Sequence, residues 1–377
     1  MLHSRSLGRL LALAACCLSL HAQADPRYSV TVVGTADSVG YGINASGQVV
    51  GYLTTLGGNE HAFLYNNIST LDLGTLGGIT SVAYGISDAG QVVGGAENVA
   101  GYLRPFSYAG GTMSDLGTLG GPSGFASAIN NHGQIVGLAD TAAAGPRAFL
   151  VAGGTMQDLG TLPSSGEFYS NANAINDHGK IAGGSSAGEF TPPEPPFHAF
   201  VRCCDGRLTD LGTFGGQYSE AFGINELGEV VGVAATASLM TDHAFLYSHG
   251  VMHDIGTLEP GGEGYAEAFD INNLSQAVGR AFGSAPTGLG FLYEGGAMVA
   301  LDTLIDPTSG WTVVDARSIN DAQQIAGTAC MAGLCHAVRL DLVSPVPEPD
   351  AAAMLVAGLA LVGARLQRRP QRKQLRE

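Results

Sequence analysis

The sequence predicts an all-β fold, a seven-bladed β-propeller of four-stranded blades over residues 28–342, flanked by an N-terminal signal helix and a short hydrophobic C-terminal helix. Three observations carry this. One phrase returns seven times, its marker isoleucine standing at Ile43, Ile86, Ile129, Ile175, Ile224, Ile271 and Ile319, a spacing of 43–49 residues that marks a stack or ring of equivalent modules. Each copy holds four short apolar segments bounded by Gly and Asn, the pattern of strands joined by tight turns. With 56 Gly, 45% hydrophobic and only 13% charged residues and no Gly-x-y period, the chain is neither collagen-like nor disordered.

The N-terminus comes first. Arg5 and Arg9 precede an apolar run, Leu10–Leu20, and then Ala22-Gln23-Ala24. This is the order of a secretory signal peptide over residues 1–24, with cleavage after Ala24 at the Ala22-x-Ala24 site. A competing reading takes Leu13-Ala14-Ala15-Cys16 as a bacterial lipobox with Cys16 lipidated.

Within each repeat, segment one is apolar and ends in a Gly-rich phrase such as Asp72-Leu73-Gly74-Thr75-Leu76-Gly77-Gly78. Segment two leads into the Ile-Asn turn. Segment three is typified by Gln91-Val92-Val93-Gly94, and segment four by His61-Ala62-Phe63-Leu64-Tyr65. The turn between two and three opens on Asn44, Ser87, Asn130, Asn176, Asn225, Asn272 and Asn320. Gly stands three positions on, except in copies six and seven, where Ser275 and Gln323 replace it. Asn bonds to backbone two residues away and Gly takes positive φ freely. The two exceptions are expected to be strained or differently shaped. Alternating strand direction places the tight turns at one end of the module and the variable connections at the other. One rim is therefore uniform and the opposite rim diverse. Four strands per period match a propeller blade. The alternative, a β-solenoid, normally has shorter coils and capping repeats.

Two residue classes recur. Asp72, Asp115, Asp158, Asp210 and Asp254 precede the Gly-Thr phrase; His61, Arg104, Arg147, His198, His243 and His336 head segment four, with Gly290 in copy six. Acid–base chemistry could use such groups, but an active site rarely needs six copies. The expectation is structural: hydrogen bonds across strands or between blades that fix blade geometry. Of the cysteines, Cys330 and Cys335 suit a local disulfide in an oxidising compartment. Cys203 and Cys204 form a vicinal disulfide or stay thiols. Trp311 reads as packing, with sugar stacking at a rim as the alternative.

The C-terminal region, 345–377, carries Val346-Pro347-Glu348-Pro349, an uncharged stretch 351–364 and an Arg-rich end. Fourteen residues of helix reach about 21 Å, short of the roughly 30 Å hydrocarbon core. In order, these three parts resemble a PEP-CTERM sorting signal. The resemblance implies an exosortase-type sorting enzyme as partner, transient insertion of the tail in the inner membrane, and delivery to the outer surface or extracellular matrix of an exopolysaccharide-producing bacterium. A plain membrane anchor is the alternative. The repeat phrases over most of 28–342 resemble the HAF family of bacterial extracellular repeats, which implies export and a propeller-like domain and brings no activity with it.

The net charge is −16; setting aside the two ends leaves 9 basic and 29 acidic residues, or −20. Such a surface repels phosphate backbones, which argues against nucleic acid as a partner. No nucleophile elbow, Walker loop, zinc-protease motif or EF-hand loop occurs, and the sequence assigns no catalytic residue, metal or cofactor. The leading expectation is a non-enzymatic binding or structural protein of the envelope or matrix, with exopolysaccharide or a matrix protein as partner. A propeller enzyme acting on extracellular glycans, a lyase or hydrolase, is the rival; Glu167, Tyr169, Glu263 and Tyr265 in the longer connections are its candidates. Stabilisation of acidic loops by calcium is a third reading.

Overall fold

The computed structural model describes residues 27–343 apart from 143–144, 164–168, 189–195, 204–205, 239–240, 260, 262–263 and 284–287. Ala22, Ala24, Val346, Pro347, Glu348 and Pro349, both terminal helices, Cys204, Glu167 and Glu263 lie outside the described residues. Among the described residues there are twenty-eight strands and one turn of 3-10 helix, Leu301–Thr303. None of the helices there is long and apolar enough to cross a membrane.

The fold is all-β and propeller-like. In the first sheet the order is Val39–Ile43, Val49–Thr54, Glu60–Tyr65 and Thr70–Asp72, each antiparallel to its neighbour. Five sheets have four strands, and a sixth has eight, made of two four-stranded halves joined by a single parallel pair, Phe197 with Tyr218. The sequence repeat and the sheet are therefore out of step by one strand. Each sheet takes segments two, three and four from one repeat and its edge strand from segment one of the next. The first repeat's segment one, Tyr28–Ala36, has no sheet of its own before it. It pairs instead with Leu334–Leu342 in the last sheet, Tyr28 opposite Leu342.

The repeated Gly of segment three explains itself in this geometry. A register shift in segment two, for example between Ala126 and Ala128, pushes the strand against its neighbour opposite Gly137. A Cβ there would stand 2.1 Å from the Phe125 carbonyl oxygen and 2.9 Å from the Phe149 ring. Phe149, across the ladder from Gly137, covers the bare backbone. Phe63, Phe106, Phe200, Phe245 and Phe291 do the same in their sheets, and all six rings are 0% exposed. Bulge, glycine and phenylalanine are one packing unit, and burying each ring contributes about 1.5–3 kcal/mol. The sheet that holds Leu334–Leu342 uses Val338 opposite Gly327.

The Asn turns link neighbouring repeats. Asn44 Nδ2 donates to the Ser87 carbonyl at 3.1 Å, Asn130 to Asn176 at 3.0 Å, Asn176 to Asn225 at 2.9 Å, Asn225 to Asn272 at 3.1 Å, and Asn272 to Asn320 at 3.2 Å. Asn320 then donates to Asn44 at 3.0 Å, returning from the last repeat to the first. The missing link starts at Ser87, whose hydroxyl is too short to reach. Ser275 and Gln323 adopt φ of 57° and 61° where other copies have Gly, the strained turns the sequence implied.

A serine in segment two ties sheets together and is not evident from the sequence. Ser81 Oγ accepts the Ala62 N–H at 2.8 Å and donates to the Gly74 carbonyl at 2.6 Å. Ser170 and Ser219 repeat this pattern on Ala148 with Gly160 and on Ala199 with Gly212.

Candidate functional site: an axial cavity with two unlike mouths

Segment two of every repeat lines one axial space. A collar of isoleucines, among them Ile43, Ile86, Ile129, Ile175 and Ile224, separates two chambers of about 210 Å³ each. The collar follows from the strand period: the residue two positions before each Ile shares its face, and these residues line the space on the side of the variable connections.

The chamber on the Asn-turn side is nearly regular. The residue after each turn Asn is Ala45, Asp88, Asn131, Asp177, Glu226, Asn273 or Asp321. Each backbone N–H of the first six donates to the side chain of the next: Ala45 to Asp88 at 2.9 Å, Asp88 to Asn131, Asn131 to Asp177 and Asp177 to Glu226 at 2.8 Å, Glu226 to Asn273 at 2.9 Å, and Asn273 to Asp321 at 2.8 Å. Asn131 Nδ2 also bridges Asp88 and Asp177 at 2.9 and 3.0 Å. These carboxylates are committed to protein donors. Among the described residues no group of three or more His, Cys, Asp or Glu is placed to hold a metal.

The other chamber and its mouth differ from repeat to repeat. Repeats one to three contribute rings: Tyr41 packs edge-on to Tyr84 with centroids 5.1 Å apart, Tyr52 lies 6.2 Å from Tyr41, and Phe125 lies 5.6 Å from Tyr84. Repeats four to seven contribute polar groups. Asn171 and Asn173 donate to Glu220 Oε1 at 2.6 and 2.9 Å, and the Tyr218 hydroxyl donates to its Oε2 at 2.6 Å. The Tyr265 hydroxyl donates to Glu267 in the same way, and Arg280 reaches Glu267 at 3.5 Å. Arg317 Nε donates to Asp315 at 3.1 Å, while Asp315 also accepts the Thr328 N–H at 2.9 Å. The guanidinium of Arg317 stands 4.2 Å over Phe269 and 5.5 Å over Tyr41, so it joins the aromatic and charged walls. Asp270, where other repeats have Gly, Ala or Ser, accepts from the Ser318 hydroxyl at 2.6 Å and the Ile319 N–H at 2.9 Å; burial nonetheless raises its carboxyl. Burial likewise raises the hydroxyls of Tyr41, Tyr52, Tyr169, Tyr218 and Tyr265, and pushes Tyr84 up to about 12.

The recurring Asp and His or Arg groups lie elsewhere, on the outer strands. His61 meets Asp72 at 2.9 Å, Arg104 meets Asp115 at 3.0 Å, His198 meets Asp210 at 2.9 Å and His243 meets Asp254 at 2.8 Å. Each Asp also accepts the N–H two residues on, Gly74, Gly117, Gly212 and Gly256, and Asp158 does so with Gly160. His336 is different: its Nδ1 has no hydrogen-bond partner, and its ring meets Trp311 edge-on at 5.9 Å. Trp311 packs against the core of the last sheet. Asp302 turns to the Val313 N–H at 2.7 Å instead. Cys330 and Cys335 are disulfide-bonded across a hairpin, their Cα atoms 3.9 Å apart, and Cys203 carries no disulfide. Tyr265 opens a strand rather than lying in a connection, and Tyr169 sits just before one; both stand at the variable mouth.

Glu220 and Glu267 recur only in repeats five and six, and Asp315, Arg280 and Arg317 occur once each, so a reading of what all seven copies share passes over them. The signal that could have found them is the count back from the marker Ile: positions two and four before it are where the repeats diverge most.

No protein-family model matches the chain, and no curated protein matches it. Among solved structures, a gluconolactonase from Xanthomonas campestris is 13% identical with a TM-score of 0.40, over 86% of this chain and 100% of that one. TolB from Acinetobacter baumannii is 9% identical with a TM-score of 0.40, over 67% and 65%. A puromycin-hydrolyzing peptidase from Mycobacterium tuberculosis is 13% identical with a TM-score of 0.42, over 70% and 45%. Likeness of this degree carries no argument about what this chain does.

Proposed function

We propose that the chain is an exported, non-enzymatic binding module of the cell envelope or exopolysaccharide matrix, built as a seven-bladed propeller whose variable axial mouth is the recognition surface. The blade count is supported by twenty-eight strands falling into sets of four, and by the Asn bonds that return from the seventh repeat to the first. Export and sorting rest on the signal-like residues 1–24 and the PEP-CTERM-like tail with its exosortase-type partner and transient membrane insertion.

The observation that carries the binding reading is the contrast between the two ends of one cavity. One end repeats a single hydrogen-bonded pattern. The other gathers tyrosines, carboxylates, amides and arginines in a set that changes around the ring: Tyr41 and Tyr84 in repeats one and two, Asn173 in repeat four, Phe222 and Phe269 in repeats five and six, Arg317 in repeat seven. Scaffold positions repeat; recognition positions need not.

The rival reading, a glycan lyase or hydrolase, would use a tyrosine–carboxylate pair at this mouth. Burial and the adjoining Glu220 or Glu267 raise both the Tyr218 and Tyr265 hydroxyls, so neither is a phenolate base at neutral pH. Retention of the purified chain on native matrix polysaccharide, with no new reducing or unsaturated ends formed, is the expected result. Absence of retention overturns the binding reading; turnover overturns the non-enzymatic one.

A further inference from the structure

The chemistry of the variable mouth restricts what it can hold. Its charged groups are balanced locally: Glu267 faces Arg280, and Asp315 faces Arg317. Glu220 is left without a cation and is held by neutral donors from Asn171, Asn173 and Tyr218. A polyanion would meet two carboxyl groups without a cation, Glu220 and Asp270, and a body carrying −20. A polycation would meet two guanidiniums that already sit over Phe269, Phe282 and Tyr41. A hydroxyl suits both kinds of wall, because it donates to a carboxylate and accepts from a guanidinium in one contact.

The chamber wall itself carries Ser127, Asn173, Asp270, Arg317 and Ser318, polar side chains of the kinds that meet hydroxyl groups. The opposite wall is aromatic, Tyr41, Tyr52 and Tyr84, and ring faces pack against the C–H face of a sugar. At about 210 Å³ the chamber is below the several-hundred-Å³ pockets that enclose drug-sized ligands. It suits one ring, not a length of chain.

We propose that this mouth binds an uncharged hexose unit of a neutral polysaccharide, seated between the tyrosine wall and the Arg317–Asp315 and Arg280–Glu267 pairs. The inference rests on the binding reading above and deepens it.

The test uses the purified full chain with three oligosaccharides of equal length: a neutral glucan, a uronate oligomer and a deacetylated, cationic glucosamine oligomer. Calorimetry is expected to show binding of the neutral oligomer, and a loss of about tenfold or more in Arg317→Gln and in Tyr84→Leu. His178 follows Asp177 in an Asn turn and its Nδ1 meets Glu226 at 2.8 Å, on the opposite side of the collar, and His178→Ala is expected to leave the affinity unchanged. Thermal unfolding of each variant separates loss of contact from loss of fold; should both mouth variants unfold, backbone hydrogen exchange of the unaltered chain, with and without the neutral oligomer, takes their place, and protection confined to the segment-two strands is expected. Preference for the uronate or the cationic oligomer overturns the ligand class and leaves the binding reading standing. Absence of binding to all three overturns the inference, and if native matrix is also not retained the wider reading falls with it. Neutral binding unaffected by either mouth variant, or protection elsewhere, overturns the location.

Discussion

Asn320 donates from Nδ2 to the carbonyl of Asn44 at 3.0 Å, across 276 positions of sequence. The same side chain accepts the Gln324 N–H at 2.9 Å and donates to Gln324 Oε1 at 3.0 Å. It holds the turn of the last repeat and its junction with the first. Asn320→Ala strands the Gln324 N–H and a buried carbonyl, and should cost about 1–3 kcal/mol in denaturant unfolding.

The two gaps in these rings predict gains. Ser87→Asn should supply the donor that the Asn130 carbonyl lacks. Ala45→Asn should accept the Asp321 N–H and bridge Asp321 and Asp88, as Asn131 bridges Asp88 and Asp177. Each should add about 1 kcal/mol to unfolding free energy. Asparagine is the choice at position 45, since an aspartate would crowd two existing carboxylates.

Gly137 and Phe149 should behave as one unit. Gly137→Ala must move the Phe125 carbonyl, and a loss of more than about 3 kcal/mol is expected. Phe149→Ala should cost about 3–5 kcal/mol. The double variant should lose less than the sum, because the ring is no longer in the way of the new methyl. A double-mutant cycle by chemical denaturation measures this directly.

How much of this was legible beforehand differs by residue. The Asn turns, the four segments and the His61–Asp72 type of pair recur, so periodicity exposed them. The strand exchange between neighbours did not show, because segments one to four read equally well as a self-contained sheet. The role of Ser81 was hidden because Gly124 and Ala266 stand in its place in other copies. The mouth was hidden for the opposite reason: Glu220 and Arg317 look like scattered surface charges until seven strands bring them together. His336 departs from the expected pairing. For His336, the strand beside it is Tyr28–Ala36, which offers Ala36 and no Asp in register.

Alkaline stability should follow the tyrosines. Tyr84 keeps its proton up to about 12 in the folded chain, against an ordinary value of 10.0, chiefly through burial. Between those values the native state binds the proton that the unfolded chain has released, so stability falls as pH rises through that interval. Tyr41, Tyr218 and Tyr265 act in the same sense. Tyr84→Phe should flatten the decline in melting temperature above pH 10.0, with phenolate absorbance following the remaining groups.

Acid titration should show the reverse sign at Asp210. Burial favours its neutral form, but hydrogen bonds from His198 and the Gly212 N–H outweigh it and hold the carboxyl below its ordinary 3.8. The stabilisation is complete above the unfolded value and is lost as pH falls through the folded one. Carboxyl NMR should place Asp210 below 3.8, and His198→Ala should move it upward.

The pairing of Tyr28 with Leu342 sets how the domain would answer to force. Chain entry and exit are neighbours on one ladder, so tension applied at both termini opens its rungs in succession and never loads them together. A domain anchored through one terminus and pulled through its mouth bears load across many interfaces; the same domain pulled end to end gives way strand by strand. Whatever tethers this chain should hold it on one side only.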